Sequence, residues 1–145
     1  MNGNQREKIV SRFVDRWDGI RLTRNGNLGP NPNGAQCVNV ANQWCAHLDI
    51  EPFYGNADTF WTDPSPDCQK IANVPGNAPH RGDIVVFDPT PDGLIGPAGH
   101  VDVCIWATLS DFLGLDQNYP DGTAIHQQSH IYDGVVGWLR PKCLI

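Results

Sequence analysis

The sequence has little positive charge and no long apolar run. It carries 10 lysine and arginine residues against 16 acidic residues, which gives a formal net charge of −6. A chain with this balance is poorly suited to a nucleic-acid backbone or an anionic membrane surface. No apolar stretch approaches the roughly 20 residues of a membrane-spanning helix, and the first ten residues lack the apolar segment of a secretory signal. We therefore expect neither nucleic acid nor a membrane as a partner.

The cysteines are too widely spaced for the common zinc-binding and dithiol motifs. An odd number of them, in a chain that shows no export signal, favours free thiols over disulfides. No Cys-x-x-Cys pair occurs, so no metal site is predicted from cysteine spacing. One or more disulfides remain the alternative. The five are Cys37, Cys45, Cys68, Cys104 and Cys143.

Glycine and proline are abundant, with 15 and 12 of the 145 residues. This proportion is high for a helical bundle and indicates many turns. Hydrophobic residues make up 40% and charged residues 18% of the chain, a composition typical of a globular protein. Neither an internal repeat nor a linker is apparent, so we predict a single domain over residues 1–145, and we expect a monomer.

Two amphipathic helices are predicted in the first third of the chain. Apolar residues recur with the 3.6-residue period of a helix over residues 5–17. A loop rich in Asn, Gly and Pro follows over residues 18–34. A second apolar stripe predicts a buried helix from residue 35 or 36 to residue 48, and residues 57–61 are compatible with a short third helix.

Short strands are predicted in the second half of the chain, where β-branched and apolar residues cluster between turns. The runs cover residues 83–87, 100–106, 111–116, 124–129 and 135–139. Helices followed by consecutive short strands indicate an α+β fold with a small curved antiparallel sheet.

Cys37 and His100 are the strongest candidates for chemistry. Cys37 begins the predicted buried helix, and a helix N-terminus presents free N–H groups and a positive dipole end that stabilise a thiolate. His100 opens a predicted strand directly after Gly99, which permits a close approach of other groups. The alternative for Cys37 is a small hydrophobic residue of the core.

Asp116 and Asn118 follow the next apolar run and are candidates to orient His100 through its second ring nitrogen. Turn composition alone also explains this acidic and amide pair. The remaining histidines lie at a helix end or beside turns and are interpreted as structural. They are His47, His80, His126 and His130.

Several segments, taken in order, resemble the CHAP family of cysteine, histidine-dependent amidohydrolases and peptidases found in phage endolysins. Residues 17–19 and 136–141 are also similar to segments of those endolysins, so the resemblance covers about residues 13–142. The four main segments are Ala35-Gln36-Cys37-Val38, Arg81-Gly82-Asp83-Ile84-Val85-Val86-Phe87, Gly99-His100-Val101-Asp102-Val103 and Asp116-Gln117-Asn118-Tyr119-Pro120-Asp121-Gly122.

The resemblance implies a papain-like α+β fold, with N-terminal helices packed on the sheet. It implies that Cys37 is the nucleophile and His100 the base. Asp116 stands where many members carry Glu, and Asn118 matches the amide two residues later. Gln36 is a candidate donor to the oxyanion, or alternatively a helix cap.

The implied substrate is bacterial peptidoglycan, cleaved at an amide bond by an endopeptidase or an N-acetylmuramoyl-L-alanine amidase, with a slight preference for peptide-bond cleavage. Aromatic side chains are candidates to line the substrate groove, and a core role is the alternative for each. They are Trp61, Trp106, Tyr119 and Trp138.

Two other functions share these features. One is a non-catalytic wall-binding or virion structural domain that keeps the CHAP fold, and the other is a toxin or wall-remodelling peptidase with the same Cys–His chemistry. The missing export signal predicts synthesis in the host cytoplasm, with access to the wall after the membrane is breached.

No cofactor is expected. Some relatives bind calcium through acidic residues before the nucleophile, but here Asp18 is the only acid after Asp15 in that stretch. Calcium requires oxygen ligands with sufficient negative charge. The polar residues in their place are asparagines 25, 27, 31 and 33.

Overall fold

The computed structural model describes residues 1–22, 36–120 and 122–145. Its elements, in order, are α1 (Gly3–Trp17), α2 (Cys37–Leu48), α3 (Thr59–Thr62), β1 (Cys68–Ala72), β2 (Ile84–Phe87), β3 (His100–Ala107), β4 (Asp111–Asp116), β5 (His126–Ile131), β6 (Val135–Pro141) and a terminal 3₁₀ turn (Lys142–Leu144). This arrangement confirms the predicted α+β class. Most of the predicted 18–34 loop lies outside the described residues.

The six strands form one antiparallel sheet with the order β1-β6-β2-β3-β4-β5. Successive residues of a strand point to opposite faces, so the sheet has two apolar sides. Val101 and Val103 of β3 belong to the larger core that α1 and α2 cover. Cys104 of the same strand belongs to a smaller cluster that includes Phe87 and Phe112.

The helical side of the sheet contains the main core. Val10 and Phe13 of α1 and Trp44 of α2 are fully buried there, and the Phe13 and Trp44 rings lie 4.9 Å apart. The indole N–H of Trp44 donates to the carbonyl oxygen of Gly82 at 2.8 Å. Both the apolar contact and this hydrogen bond fix α2 against the chain that enters β2.

A buried ion pair links the segment directly before β2 to the last strand, β6. Asp83, directly before β2, is 1% exposed and accepts hydrogen bonds from Nε and Nη2 of Arg140 in β6. Its Oδ2 also accepts from the backbone N–H of His80 at 2.7 Å. Burial raises the pKa of Asp83, although the Arg140 hydrogen bond opposes that rise.

Strand β1 was not predicted, because Cys68–Ala72 lies in a proline-rich stretch and has only one β-branched residue. It is an edge strand that pairs with β6. Pairing with an existing sheet supplies the stability that its own sequence lacks. Among the described residues, no helix has the length and apolar character needed to cross a bilayer.

Candidate active site

Cys37 is the first residue of α2, as its place in the sequence predicted. The preceding residue, Gln36, is extended, and its backbone N–H donates to Oδ1 of Asn39 at 2.8 Å. The helix therefore begins at Cys37, which places the thiol at the helix end where backbone N–H groups lack partners from a preceding turn. All five cysteines carry free thiols, and Cys37 is 9% exposed.

His100 is the first residue of β3, and Gly99 determines how it enters the strand. Gly99 has φ +74, and a Cβ there would lie 2.8 Å from the carbonyl oxygen of Phe87. Only glycine fits both the left-handed backbone and this close approach. The turn places His100 opposite Phe87 of β2, where it is 4% exposed.

Cys37, His100 and Asp116 form a row in which His100 stands between the other two. Nε2 of His100 donates to Oδ2 of Asp116 at 3.0 Å, and the Cys37 thiol is near enough to the ring to contribute to its raised pKa. Because Nε2 faces Asp116, Nδ1 is the nitrogen left for Cys37. Burial alone would lower the pKa of His100, but the bonds to Asp116 and Cys37 outweigh it and raise this pKa to about 10.

A charged imidazolium beside a cysteine is the arrangement that nucleophilic cysteines use. Asp116 itself is fully buried. Burial would raise its pKa, but hydrogen bonds from His100 and His130 outweigh this effect and lower it. The site can therefore hold a negative carboxylate, a positive imidazolium and a thiol side by side in space.

His130 lies beside this site within β5, and only its predicted place beside a turn is wrong. Nε2 of His130 donates to Oδ2 of Asp116 at 3.0 Å, the same oxygen that His100 uses. It also lies 3.2 Å from Oδ2 of Asp102. The predicted strand ended at residue 129, whereas β5 extends through Ile131, so residue 130 was assigned to a turn.

Asp102 is the second site residue that the sequence reasoning missed. It follows His100 by two residues on β3, so the two-residue period of a strand places both on one face. Asp102 is fully buried, and neither of its oxygens has a hydrogen-bond partner among the described residues. Burial and the neighbouring Asp116 raise its pKa well above the ordinary range.

Asn118 does not contact His100 in the described structure but holds Gln36. Its Nδ2 donates to Oε1 of Gln36 at 3.0 Å, and its Oδ1 accepts from the N–H of Gly122 at 2.6 Å. Asn118 has φ +63, a left-handed conformation that asparagine tolerates. Of the two candidates to orient His100, Asp116 is the one placed beside it, whereas Asn118 positions the residue before Cys37.

The four predicted groove aromatics have different environments. The ring of Tyr119 lies 4.9 Å from that of His100, which places it at the site. Trp61 is half-buried, with Nζ of Lys70 at 4.3 Å from its ring. Of the other two assignments, that of Trp138 needs correction.

Trp138 is fully buried within the smaller apolar cluster, and the cavity that it borders is lined by residues such as Ile71, His80 and Arg140 and not by Cys37 or His100. Trp106 is 45% exposed, but it is six residues along β3 from His100, a separation of roughly 20 Å at about 3.3 Å per residue. It therefore lies at the far end of β3 from His100, and its place in a substrate groove stays a prediction. The asparagines discussed for calcium are outside the described residues.

The profile of the CHAP domain family matches residues 26–118, which are 93 of the 145 residues. Among solved structures, the endolysin LysIME-EF1 is similar with a TM-score of 0.71 and 20% identity over 94% of this chain. Ly7917, solved alone and with "the hydrolyzing product of MDP", gives TM-scores of 0.60 and 0.59 at 15% identity, over 99% and 98% of this chain.

This chain spans 64% of the LysIME-EF1 chain and 63% of the Ly7917 chains. At these identities the solved structures show the shared fold. A search of curated proteins found no match. The profile match covers most of the chain, and the fold agrees with it, so the chain belongs to the CHAP family.

Proposed function

We propose that this protein is a peptidoglycan hydrolase that cleaves an amide bond with Cys37 as nucleophile and His100 as acid and base. The observation that carries the proposal is the row of Cys37, His100 and Asp116, in which a thiol at a helix start lies beside a buried imidazole that Asp116 holds by a hydrogen bond. The family membership and the endolysin neighbours support a cell-wall substrate.

The reaction follows from the positions of these groups. The Cys37 thiolate attacks the amide carbonyl carbon, and the C–N bond breaks as His100 gives its proton to the leaving amine. Water then attacks the thioester while His100 accepts a proton, which releases the acid product and restores the thiolate. These steps consume one water molecule and require no redox partner.

The oxyanion formed in each attack needs preorganised donors. The N–H groups of the first turn of α2 lie next to Cys37 and match this requirement. Gln36 is held on one side by Asn118 and on its backbone oxygen by Nε2 of Gln117 at 3.0 Å. We propose that Gln36 positions this turn and lies on the side of the substrate where the oxyanion forms.

The decisive experiment is clearing of purified cell walls by the reduced protein and by Cys37→Ala. We expect the wild-type chain to clear the suspension and Cys37→Ala to lose clearing while it retains its circular dichroism spectrum. Cys143→Ala is the matched control, since Cys143 is the exposed thiol and lies outside the row. Substantial clearing by Cys37→Ala would refute the nucleophile assignment.

A non-catalytic wall-binding or virion structural domain is the competing function. It predicts that the reduced wild-type protein sediments with walls without clearing them. The intact row favours an enzyme, because a binding domain has no need for a thiol bonded to a charged imidazole.

Mass spectrometry of the digest distinguishes the two hydrolase activities. An endopeptidase creates new N-termini within the stem peptides or cross-bridges. An N-acetylmuramoyl-L-alanine amidase releases free stem peptides with L-alanine N-termini and leaves the glycan strands intact. Both results support the thiol mechanism, and each assigns the bond.

A further inference from the structure

The buried cluster behind His100 contains more carboxyl oxygens than the described hydrogen bonds satisfy. Asp102 and Asp116 are both fully buried. Three of their four oxygens, Oδ1 and Oδ2 of Asp102 and Oδ1 of Asp116, have no hydrogen-bond partner in the described part of the chain. Buried charges are normally paired or coordinate a metal, and an unsatisfied buried group points to a missing ion or water.

Two imidazoles complete a donor set around these carboxylates. His100, Asp102, Asp116 and His130 each offer one ligand atom, and the four atoms lie within 4.8 Å of one another. Three of the pairs are already close: His100 Nε2 and His130 Nε2 are each 3.0 Å from Asp116 Oδ2, and His130 Nε2 is 3.2 Å from Asp102 Oδ2.

These distances match a tetrahedral metal site. With metal–ligand bonds of about 2.1 Å, the ligand atoms of tetrahedral zinc lie about 3.4 Å apart. The three close pairs need to widen by a few tenths of an ångström, and the widest pair needs to contract by up to about 1.4 Å. Strands β3, β4 and β5 supply all four ligands, so the sheet holds them on one rigid support.

The donor types select among metals. Two imidazole nitrogens and two carboxylate oxygens suit Zn²⁺ and similar transition ions. Calcium prefers six to eight oxygens, and magnesium requires an octahedral, largely hydrated shell. A buried set of four mixed ligands fits neither.

We propose that His100, Asp102, Asp116 and His130 form an inhibitory site for a divalent transition-metal ion, with Zn²⁺ as its best fit. The metal would take Nε2 of His100 from Asp116. An imidazole bound through Nε2 keeps its remaining proton on Nδ1, so it can no longer accept a proton from Cys37. A metal bound at Nε2 of His100 would therefore prevent the thiol mechanism, and a working thiol mechanism would require this nitrogen to be free of metal.

Metal binding itself does not depend on the proposed hydrolase activity, whereas inhibition does. The binding test therefore uses the full chain with Cys37→Ser and Cys143→Ser, which removes the nucleophilic and exposed thiols as competing ligands. Titration calorimetry with ZnCl₂ should give one equivalent, and Co²⁺ should give the intense visible absorption of a tetrahedral site. No binding, or an octahedral Co²⁺ spectrum, would overturn the proposal.

His130→Gln in that background should weaken zinc binding at least tenfold. The matched control is His80→Gln, since His80 lies outside the cluster and bonds to Arg6; it should leave affinity unchanged. Asp102→Asn provides a second test with little change of shape. Should His130→Gln fail to fold, Asp102→Asn carries the same expectation. Unchanged affinity in a folded ligand variant would place the metal elsewhere and refute the site.

The activity arm uses the wild-type chain on purified walls. Clearing should stop with stoichiometric ZnCl₂ and return with EDTA. If the chain binds one zinc as described but never clears walls, the hydrolase proposal fails and the metal site stands. If it clears walls and zinc binds only when Cys37 is present, the four-residue site is wrong and the hydrolase proposal stands.

Discussion

Replacing Asp116 by asparagine should lower the pH at which wall clearing is lost on the alkaline side. In the native site, burial opposes the charged form of His100, but the hydrogen bonds from Asp116 and Cys37 raise its pKa to about 10. The Asp116 carboxylate lies 3.0 Å from Nε2. An asparagine side chain at this position keeps the shape and a hydrogen bond but removes the negative charge.

The size of the shift follows from this single contact. A hydrogen bond to a charged group contributes about 1.5–3 kcal/mol, and one pKa unit corresponds to about 1.4 kcal/mol. The alkaline limb should therefore move down by about 1–2 pH units. If the same free energy is lost from the transition state, the maximal rate should fall by a factor of about 10–150.

The assay is the initial rate of wall clearing at low substrate, which follows kcat/KM, measured from about pH 6 to about pH 11. Asp111→Asn is the matched control, because Asp111 stands at the other end of β4 and accepts from Thr108 rather than from a histidine. It should leave the limb in place. A folded Asp116→Asn protein whose limb coincides with that of the wild type would refute the role given to Asp116.

The same pKa affects stability. The pKa of His100 is raised above its ordinary value of 6.5, so its contribution to the free energy of unfolding is complete below about pH 6.5. That contribution is lost as the pH rises towards about 10. Urea denaturation of Asp116→Asn should show a weaker loss of stability over this interval than the wild type.

Three further substitutions test the surroundings of the site. Asp83→Asn should lower the free energy of unfolding by about 3 kcal/mol in urea titration, because it leaves the Arg140 charge uncompensated; an unchanged midpoint would contradict this. Cys45→Ser should cost about 1–3 kcal/mol, since it puts a hydroxyl at a fully buried position, while the clearing rate per folded molecule stays the same. Gly114→Ala would place its Cβ 2.6 Å from Cγ of Asp102; we expect about 1–3 kcal/mol of destabilisation together with a slower clearing rate, and normal values of both would disprove the close contact.

The parts of the fold that the sequence predicts are those with strong local patterns. The apolar stripes of α1 and α2 and the β-branched run of β2 each specify one element almost without reference to the others. Cys37 could be assigned for the same reason, because a polar turn directly before an apolar helix locates a helix start. Strand β1 has no such pattern, and only its pairing with β6 makes it a strand.

Only part of the site was predicted, because its residues come from separate segments of the chain. His100 and Asp116 stand at the ends of recognisable strands and resemble family motifs. His130 comes from β5, whose sequence of polar residues has no apolar alternation, so neither its end nor its inward face could be fixed. Asp102 could have been found, since it shares a strand face with His100, but its burial depends on Gly114 across the sheet.

Stability does not explain why titratable groups are gathered at the start of β3. Two fully buried carboxyl groups with three unsatisfied oxygens cost folding free energy, and even well-paired buried ions often stabilise a fold no better than apolar residues of similar size. The Asp83 and Arg140 pair shows how this fold satisfies a buried charge when structure is the purpose, with matched donors on both oxygens. The cluster around His100 lacks that balance, and it lies where the Cys37 thiol reaches the sheet. A histidine that must gain and lose a proton needs neighbours that tolerate both of its protonation states. Carboxyl oxygens without hydrogen-bond partners beside His100 are therefore expected if the site carries out proton transfer, and the same oxygens would attract a competing metal ion.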